Sequence, residues 1–262
     1  MKKKMLKLLL VVLCFGVATA SNNYYGPSIL EKKHRFLVCI SSFKRPIFVS
    51  GQVFRFMNQT YQNFDISLSF KGVEEPWSRL TFEKEWYRLR KDGRLFLKYD
   101  PNRRQLSNLL DTVRDMDLSK YDYFCKVDDD DWYAPEYLEN INNELNYYGP
   151  VDITHSTNTY ILTEDLKKTY MSTNGTDLSG PTMCFSRKII EMALEIEQNP
   201  LKVSEWLPNE PAGLEILRED RLLHHLAREI GRERYRRSAE PLVIYGWQYR
   251  SVTRNQNYVN IK

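Results

Sequence analysis

The chain has 262 residues, of which 42% are hydrophobic, 13% aromatic and 27% charged, enough for one large globular domain or two small ones. Its formal charge of +4 sits entirely at the start, where Lys2, Lys3, Lys4 and Lys7 lie in a stretch without acids, so the rest of the chain is neutral. A neutral body lacks the basic field of a general nucleic-acid binder, which excludes nucleic acid as a partner, although the basic cluster Arg228 to Arg237 leaves local anion binding open.

Met1 to Ala20 has the three parts of a secretory signal: a lysine-rich start, an apolar run from Leu8, and small residues in Ala18-Thr-Ala20 before Ser21. The run is short for a spanning helix, which needs roughly 20 apolar residues. Residues 1–20 are therefore expected to be a signal peptide or an uncleaved signal anchor. Either places the protein in the secretory pathway or on a membrane; the alternative is the cytoplasmic face of one. Beyond this segment stand Cys39, Cys125 and Cys184. Their odd number, apolar surroundings and lack of C-x-x-C spacing lead us to expect buried thiols, not a disulfide framework or a cysteine-based zinc site. Reduced cysteines fit poorly with an export signal.

Taken in order, Phe36-Leu-Val-Cys-Ile40 is a continuous apolar run, as expected of a strand covered on both faces. Ser41 to Pro46 breaks it, Pro46 suits a first helical turn, and Phe48, Val49, Val53, Phe56 and Met57 recur at helical spacing. Further strands are expected at Phe64 to Phe70 and Arg94 to Lys98, and helices at Trp77 to Lys91 and around Leu106 to Val113. This alternation predicts an α/β fold, a mostly parallel sheet with helices on both faces. Later, Val151 to Thr163 reads as a long strand or hairpin, and Gly180 to Ser186 as a strand entering a helix over Arg187 to Glu197. Residues 199–215, with Pro200, Pro208, Pro211 and Gly213, read as a long loop holding Trp206. A helix over Glu219 to Ile230, stopped by Gly231, and a last strand at Leu242 to Tyr245 complete the chain.

The centre of this organisation is Tyr121 to Pro135, in which a short apolar strand runs into four consecutive carboxylates, Asp128, Asp129, Asp130 and Asp131. Adjacent carboxylates repel one another unless water or a cation offsets their charge. At the carboxyl end of a buried strand, where open α/β sheets bind ligands, a divalent cation serving an anionic substrate is the expected counter-charge. The bland readings are a solvated acidic loop, or Asp131 capping the helix that follows. An EF-hand lacks its glycine and distal glutamate here, and a phosphoaspartate hydrolase would not place Trp132 after the acids.

Five ordered segments resemble glycosyltransferases of the GT-A fold, nearest to the large family 2 group. Ile40-Ser-Ser-Phe-Lys-Arg-Pro46 resembles I-P-T-Y-N-R-P, and Asn58-Gln-Thr-Tyr-Gln-Asn-Phe-Asp-Ile66 resembles N-Q-T-Y-x-N-F-E-I. Val127-Asp-Asp-Asp-Asp131 with Pro135 resembles L-D-A-D-D and its later proline, Gly180 to Arg187 resembles G-x-x-x-x-F-R, and Glu219-Asp220 resembles the E-D pair. The resemblance implies a Rossmann-like nucleotide-diphospho-sugar transferase over residues 35–231, with a nucleotide-binding half (35–134), an acceptor half (135–231), and a C-terminal strand and tail (232–262). It further implies a metal-dependent transfer of a sugar from a nucleotide-diphosphate-sugar donor to a glycan, lipid or protein acceptor, with inversion. Asp130 is then the leading ligand for Mn2+ or Mg2+ with Asp128 beside it. Asp128 and Asp129 join Ser41, Phe43 and Arg45 in holding the donor, and Asp220, with Glu219 as alternate, is the general base.

Two departures stand out. Where the family ends its second strand in V-V-D-D-G-S, whose first Asp reads the uracil, this chain has Ser69-Phe-Lys-Gly72, with Phe70 and Lys71 in place of both acids. A late histidine of the family is also missing, with Tyr249, Arg250 and Arg254 nearby. The rival reading is a non-catalytic, exported carbohydrate- or metal-binding protein on the same fold. A nucleotidyltransferase ranks below both, because Ser41 to Pro46 has no glycine for a phosphate loop. His224 and His225 follow Asp220 on the same helix and read as surface or packing residues before metal ligands.

Overall fold

The computed structural model describes residues 32–43, 46–71, 83–100, 109–156, 158–162, 168–172, 182–206, 219–229, 235–238 and 243–246. All of them lie within one compact unit, Glu31–Lys262. Residues 1–31, Arg45, Gly72 and the C-terminal arginines lie outside the described residues.

The main sheet is built from β1 (Phe36–Phe43), β2 (Phe64–Lys71), β3 (Leu95–Asp100), β4 (Tyr123–Asp128), β6 (Ile153–Ser156), β9 (Cys184–Ser186) and β10 (Tyr235–Ser238), in the order β10-β6-β9-β4-β1-β2-β3. Six strands are parallel to one another; β9 alone runs against its neighbours β4 and β6. Both faces of β1 are sealed, as its unbroken apolar run demands: Phe36, Leu37, Val38 and Ile40 are fully buried. Each such side chain stabilises the fold by roughly 1.5–3 kcal/mol relative to exposure.

Alternate residues feed two cores. Phe36, Val38 and Ile40 pack with α1 (Pro46–Met57), α2 (Glu83–Lys91) and α4 (Tyr137–Tyr148). Leu37 and Cys39 pack with α3 (Leu109–Val113), α5 (Arg187–Gln198), α6 (Val203–Trp206) and α7 (Glu219–Glu229). The expected layering of helix, sheet and helix is what the chain forms.

A second sheet, in the order β5-β11-β7-β8, joins β5 (Trp132–Tyr133), β7 (Asn158–Leu162), β8 (Lys168–Ser172) and β11 (Val243–Gly246). The stretch expected as one long strand or hairpin is thus divided, β6 serving the main sheet and β7 the second, where its hairpin partner is β8. The expected loop after residue 199 instead begins with a 3-10 turn at Pro200–Lys202 and the short helix α6; the part beyond Trp206 lies outside the described residues. Residues 235–238 and 243–246, read as tail and one strand, supply a strand to each sheet, β10 at the edge beside β6 and β11 between β5 and β7.

The cysteine expectation is corrected. Antiparallel pairing sets Cys125 of β4 opposite Cys184 of β9, and the two are joined in a disulfide. Their separation of 59 residues carries no local spacing signal. Only insertion of β9 beside β4 brings them together; Cys39, buried in β1, remains a thiol.

Candidate active site

Strand order fixes where the site lies. From β1 the chain winds outward through β2 to β3, then returns across β1 to form β4 on its other side. The crevice at the carboxyl ends of β1 and β4 is therefore the switch point where open α/β sheets bind ligands. The β1–β4 register ends there with Ser41 opposite Asp128. Ser41 and the acidic cluster are brought together; Phe43 ends β1, but its side chain lies outside the described residues, as does all of Arg45.

The four acids are not equivalent. Asp129 and Asp131 are buried, whereas Asp128 and Asp130 are half-buried. The Ser42 hydroxyl donates to the Asp129 carboxylate. Pleating puts Lys126 and Asp128 on the face of β4 opposite Cys125 and Val127, and the buried Lys126 ammonium lies 3.3 Å from Asp128 Oδ1. Part of the counter-charge, one positive charge against four carboxylates, is thus supplied by the chain itself.

Gln52 of α1, fully buried, pins the loop. Its amide nitrogen donates to the carbonyl oxygens of Asp128 and Asp131, both at 2.6 Å, bracketing the acidic turn by its backbone. Arg55 Nη1 donates to Gln52 Oε1 at 3.2 Å, fixing which end of that amide faces the loop. Burial holds the Arg55 guanidinium below its usual pKa range, while Tyr133 and Asp131 work in the opposite direction. On the other side, the Asp128 N–H donates to the hydroxyl of Tyr133 at 3.0 Å. Burial, reinforced by Asp131 and Asp128, pushes that phenol well above its ordinary range, so it stays neutral. Lys126, Gln52 and Tyr133 were not singled out in the sequence. The one legible signal was the two-residue spacing of Lys126 and Asp128 on a strand.

Asp131 is not a helix cap: Trp132–Tyr133 continue as β5, and α4 begins only after Glu136. Phe70, at the position of the family's base-reading acid, is fully buried in the core shared with α1 and α2. Glu219 and Asp220 are the first residues of α7, their side chains outside the described residues. Since α7 is followed by β10, which runs parallel to β6, the topology starts α7 at the carboxyl end of the sheet. It lies on the face that carries Lys126 and Asp128. His224 and His225 sit further along α7, edge to face at 5.9 Å.

Among the described residues, no three His, Cys, Asp or Glu side chains are grouped to hold a metal. The half-buried Asp128 and Asp130 on one short turn fit an ion that takes most of its ligands from elsewhere, such as a diphosphate.

No protein-family model and no curated protein sequence matches the chain. Solved structures do. The mannosyltransferase PcManGT from Pyrobaculum calidifontis, in complex with GDP-Man and Mn2+, superposes with a TM-score of 0.53 at 13% identity, over 83% of this chain and 58% of that one. TarS 1-349 of S. aureus superposes with a TM-score of 0.52 at 9% identity, over 80% of this chain and 60% of that one, and equally in complex with UDP. The chain thus spans less than two thirds of either neighbour's length. With its switch-point acids and its six parallel strands interrupted by one antiparallel strand, the chain has a GT-A-like glycosyltransferase fold.

Proposed function

We propose that the protein is a metal-dependent glycosyltransferase that moves a sugar, with inversion, from a nucleotide-diphosphate donor to a glycan, lipid or protein acceptor. The observation that carries this reading is the acidic turn at the switch point, pinned through its backbone, in which Asp128 and Asp130 are half-buried while Asp129 and Asp131 are buried. Support comes from neighbours of the same fold that bind GDP-Man with Mn2+, or UDP.

In this reading Asp130 and Asp128 hold Mn2+ or Mg2+, which when bound neutralises the leaving diphosphate. Asp129, committed to Ser42, positions the turn in place of touching the donor. Ser41 lines the donor crevice, with Phe43 and Arg45 following it along the chain. Lys126 orients Asp128 and limits repulsion among the acids. Asp220, or Glu219, takes the proton of the acceptor hydroxyl from the start of α7. With Phe70 committed to the core, the base of the donor is read by other groups than the usual acid.

The disulfide supports maturation in an oxidising compartment, in line with residues 1–20 acting as an export signal or anchor. Calorimetry with GDP and UDP, each with and without Mn2+, tests the proposal. Metal-dependent binding of at least one is expected, followed by release of sugar from the matching donor. Nucleotide binding indifferent to metal, or none, would leave the non-catalytic alternative standing.

A further inference from the structure

We infer that the amino end of the main sheet, opposite the acidic turn, is a docking face for an anionic lipid bilayer. The helix α4 ends there in Tyr147 and Tyr148, which are 55% and 58% exposed although Ile141, Leu145 and Leu138 on the same helix are buried. Their rings meet edge to face with centroids 4.4 Å apart, forming one apolar knob with two hydroxyl tips. Paired tyrosines of this kind suit the headgroup level of a membrane, where one part of the side chain is dry and the other wet.

The path of the chain selects the same face. The Lys32 N–H donates to Asn146 Oδ1 at 3.1 Å, and Asn146 Nδ2 donates back to the Lys32 carbonyl at 3.0 Å. The polypeptide therefore enters the described body beside the tyrosines. Upstream, residues 21–31 span at most roughly 38 Å even when fully extended, before the apolar run that ends at Ala20. Among the described residues no helix is long and apolar enough to cross a membrane.

Charge agrees. Lys32, Lys33, Lys120, Arg187 and Lys188 are exposed at this end. Four acids lie among them: Asp122 lies 3.0 Å from Lys32, Asp117 3.8 Å from Lys120 and Glu191 3.6 Å from Arg187, and the buried Asp152 lines the same cleft as Arg187 and Lys188. The surplus is basic, and an anionic leaflet attracts cations exposed near its surface. The eight residues of β1 separate this face from the acidic turn by about 26 Å. On the enzymatic reading above, the site then faces away from the bilayer toward a glycan or protein acceptor, not the headgroup of a neighbouring lipid.

The test uses the full chain in a Cys14→Ser background, labelled with an environment-sensitive fluorophore at Tyr148→Cys or, as the control at the carboxyl end, at Leu201→Cys. Leu201, after α5, is 83% exposed. On vesicles of phosphatidylcholine with phosphatidylserine, the Tyr148→Cys label is expected to shift to the blue and lose iodide quenching several-fold, while the Leu201→Cys label keeps its quenching. Adding Lys33→Glu and Lys188→Glu is expected to restore part of the quenching without releasing the chain from the vesicles. Equal iodide access at Tyr148→Cys with and without vesicles would overturn the inference. So would equal shielding of both labels, or shielding that grows with protein concentration in the absence of lipid, which would mark a second copy of the chain as the occupant. None of these readouts depends on enzymatic activity.

Discussion

Two clusters of buried polar groups lie at opposite ends of the same strands, and they are satisfied in opposite ways. At the amino end, the Asp65 carboxylate is consumed by its partners: Arg35 Nη2 at 2.7 Å, the Tyr121 hydroxyl at 2.9 Å and Arg94 Nε at 3.8 Å. At the carboxyl end, Gln52 holds the acidic turn through the carbonyls of Asp128 and Asp131, while Asp128, beside Lys126, and Asp130 stay half-buried. A carboxylate whose acceptor positions are filled by its own chain serves the fold. One whose backbone is fixed while its side chain stays partly exposed is available to a ligand.

The contrast is broken most sharply by Asp130→Ala. On the proposed function it should lower turnover about 10²-fold or more, the scale on which charge-stabilising groups act. Stability should change by no more than about 1 kcal/mol, because Asp130 is half-buried and lies outside both cores. Asp65→Ala should do the reverse. It strands the buried Tyr121 hydroxyl and removes the charge that Arg35 and Arg94 answer, at about 2–3 kcal/mol, since Arg35 is half-exposed and regains water. Urea unfolding beside turnover per folded molecule separates the two; similar profiles for both variants would remove the distinction.

The layered architecture was legible because both of its signals are local. The unbroken run Phe36 to Ile40 requires two covered faces, and helical spacing between such runs requires crossovers. The acidic turn was legible because four carboxylates after an apolar strand have few other uses. Contacts made only by the fold were not. Cys125 and Cys184 meet because β9 slots in antiparallel, and Gln52 reaches Asp128 and Asp131 across 76 and 79 residues. The division of labour among the acids also comes from packing: Ser42 engages Asp129 on the α1 face, and Lys126 engages Asp128 on the other. Residues Asp128 to Asp131 look alike in sequence, and only the neighbours that the fold brings to each, Ser42 of β1 and Lys126 of β4, distinguish them.

Gln52 is the place to sharpen the comparison. Gln52→Leu keeps the volume and removes both donated hydrogen bonds, which should cost about 1–2 kcal/mol of stability. If the clamp serves the site, Mn2+-dependent nucleotide affinity should also fall about tenfold, as for groups that orient ligands without touching the ion. Gln52→Glu should be worse on both counts, because a carboxylate would face two carbonyl oxygens beside four acids. Loss of stability with unchanged affinity would reduce Gln52 to a structural residue.

The smallest expected effect again separates the two ends, this time by pH. His34 is buried at the amino end, with its ring edge to face on Tyr123 at 5.4 Å and Nδ1 3.9 Å from Asp122 Oδ2. Burial holds its pKa below the ordinary 6.5, the nearby Lys32 pushes it the same way, and Asp122 opposes them. The folded state therefore favours the neutral ring, and the unfolded chain takes up the proton first. This contribution to stability is complete above 6.5 and is lost as the pH falls below that value toward the folded pKa. His34→Phe keeps a ring against Tyr123 and cannot protonate, so its stability should fall less steeply on acidification through this window than that of the parent chain. Urea midpoints collected from neutral pH downward measure the slope. An unchanged slope would show that His34 opens to water before it titrates, and would move the acid sensitivity of the amino end to Asp122 and its partners.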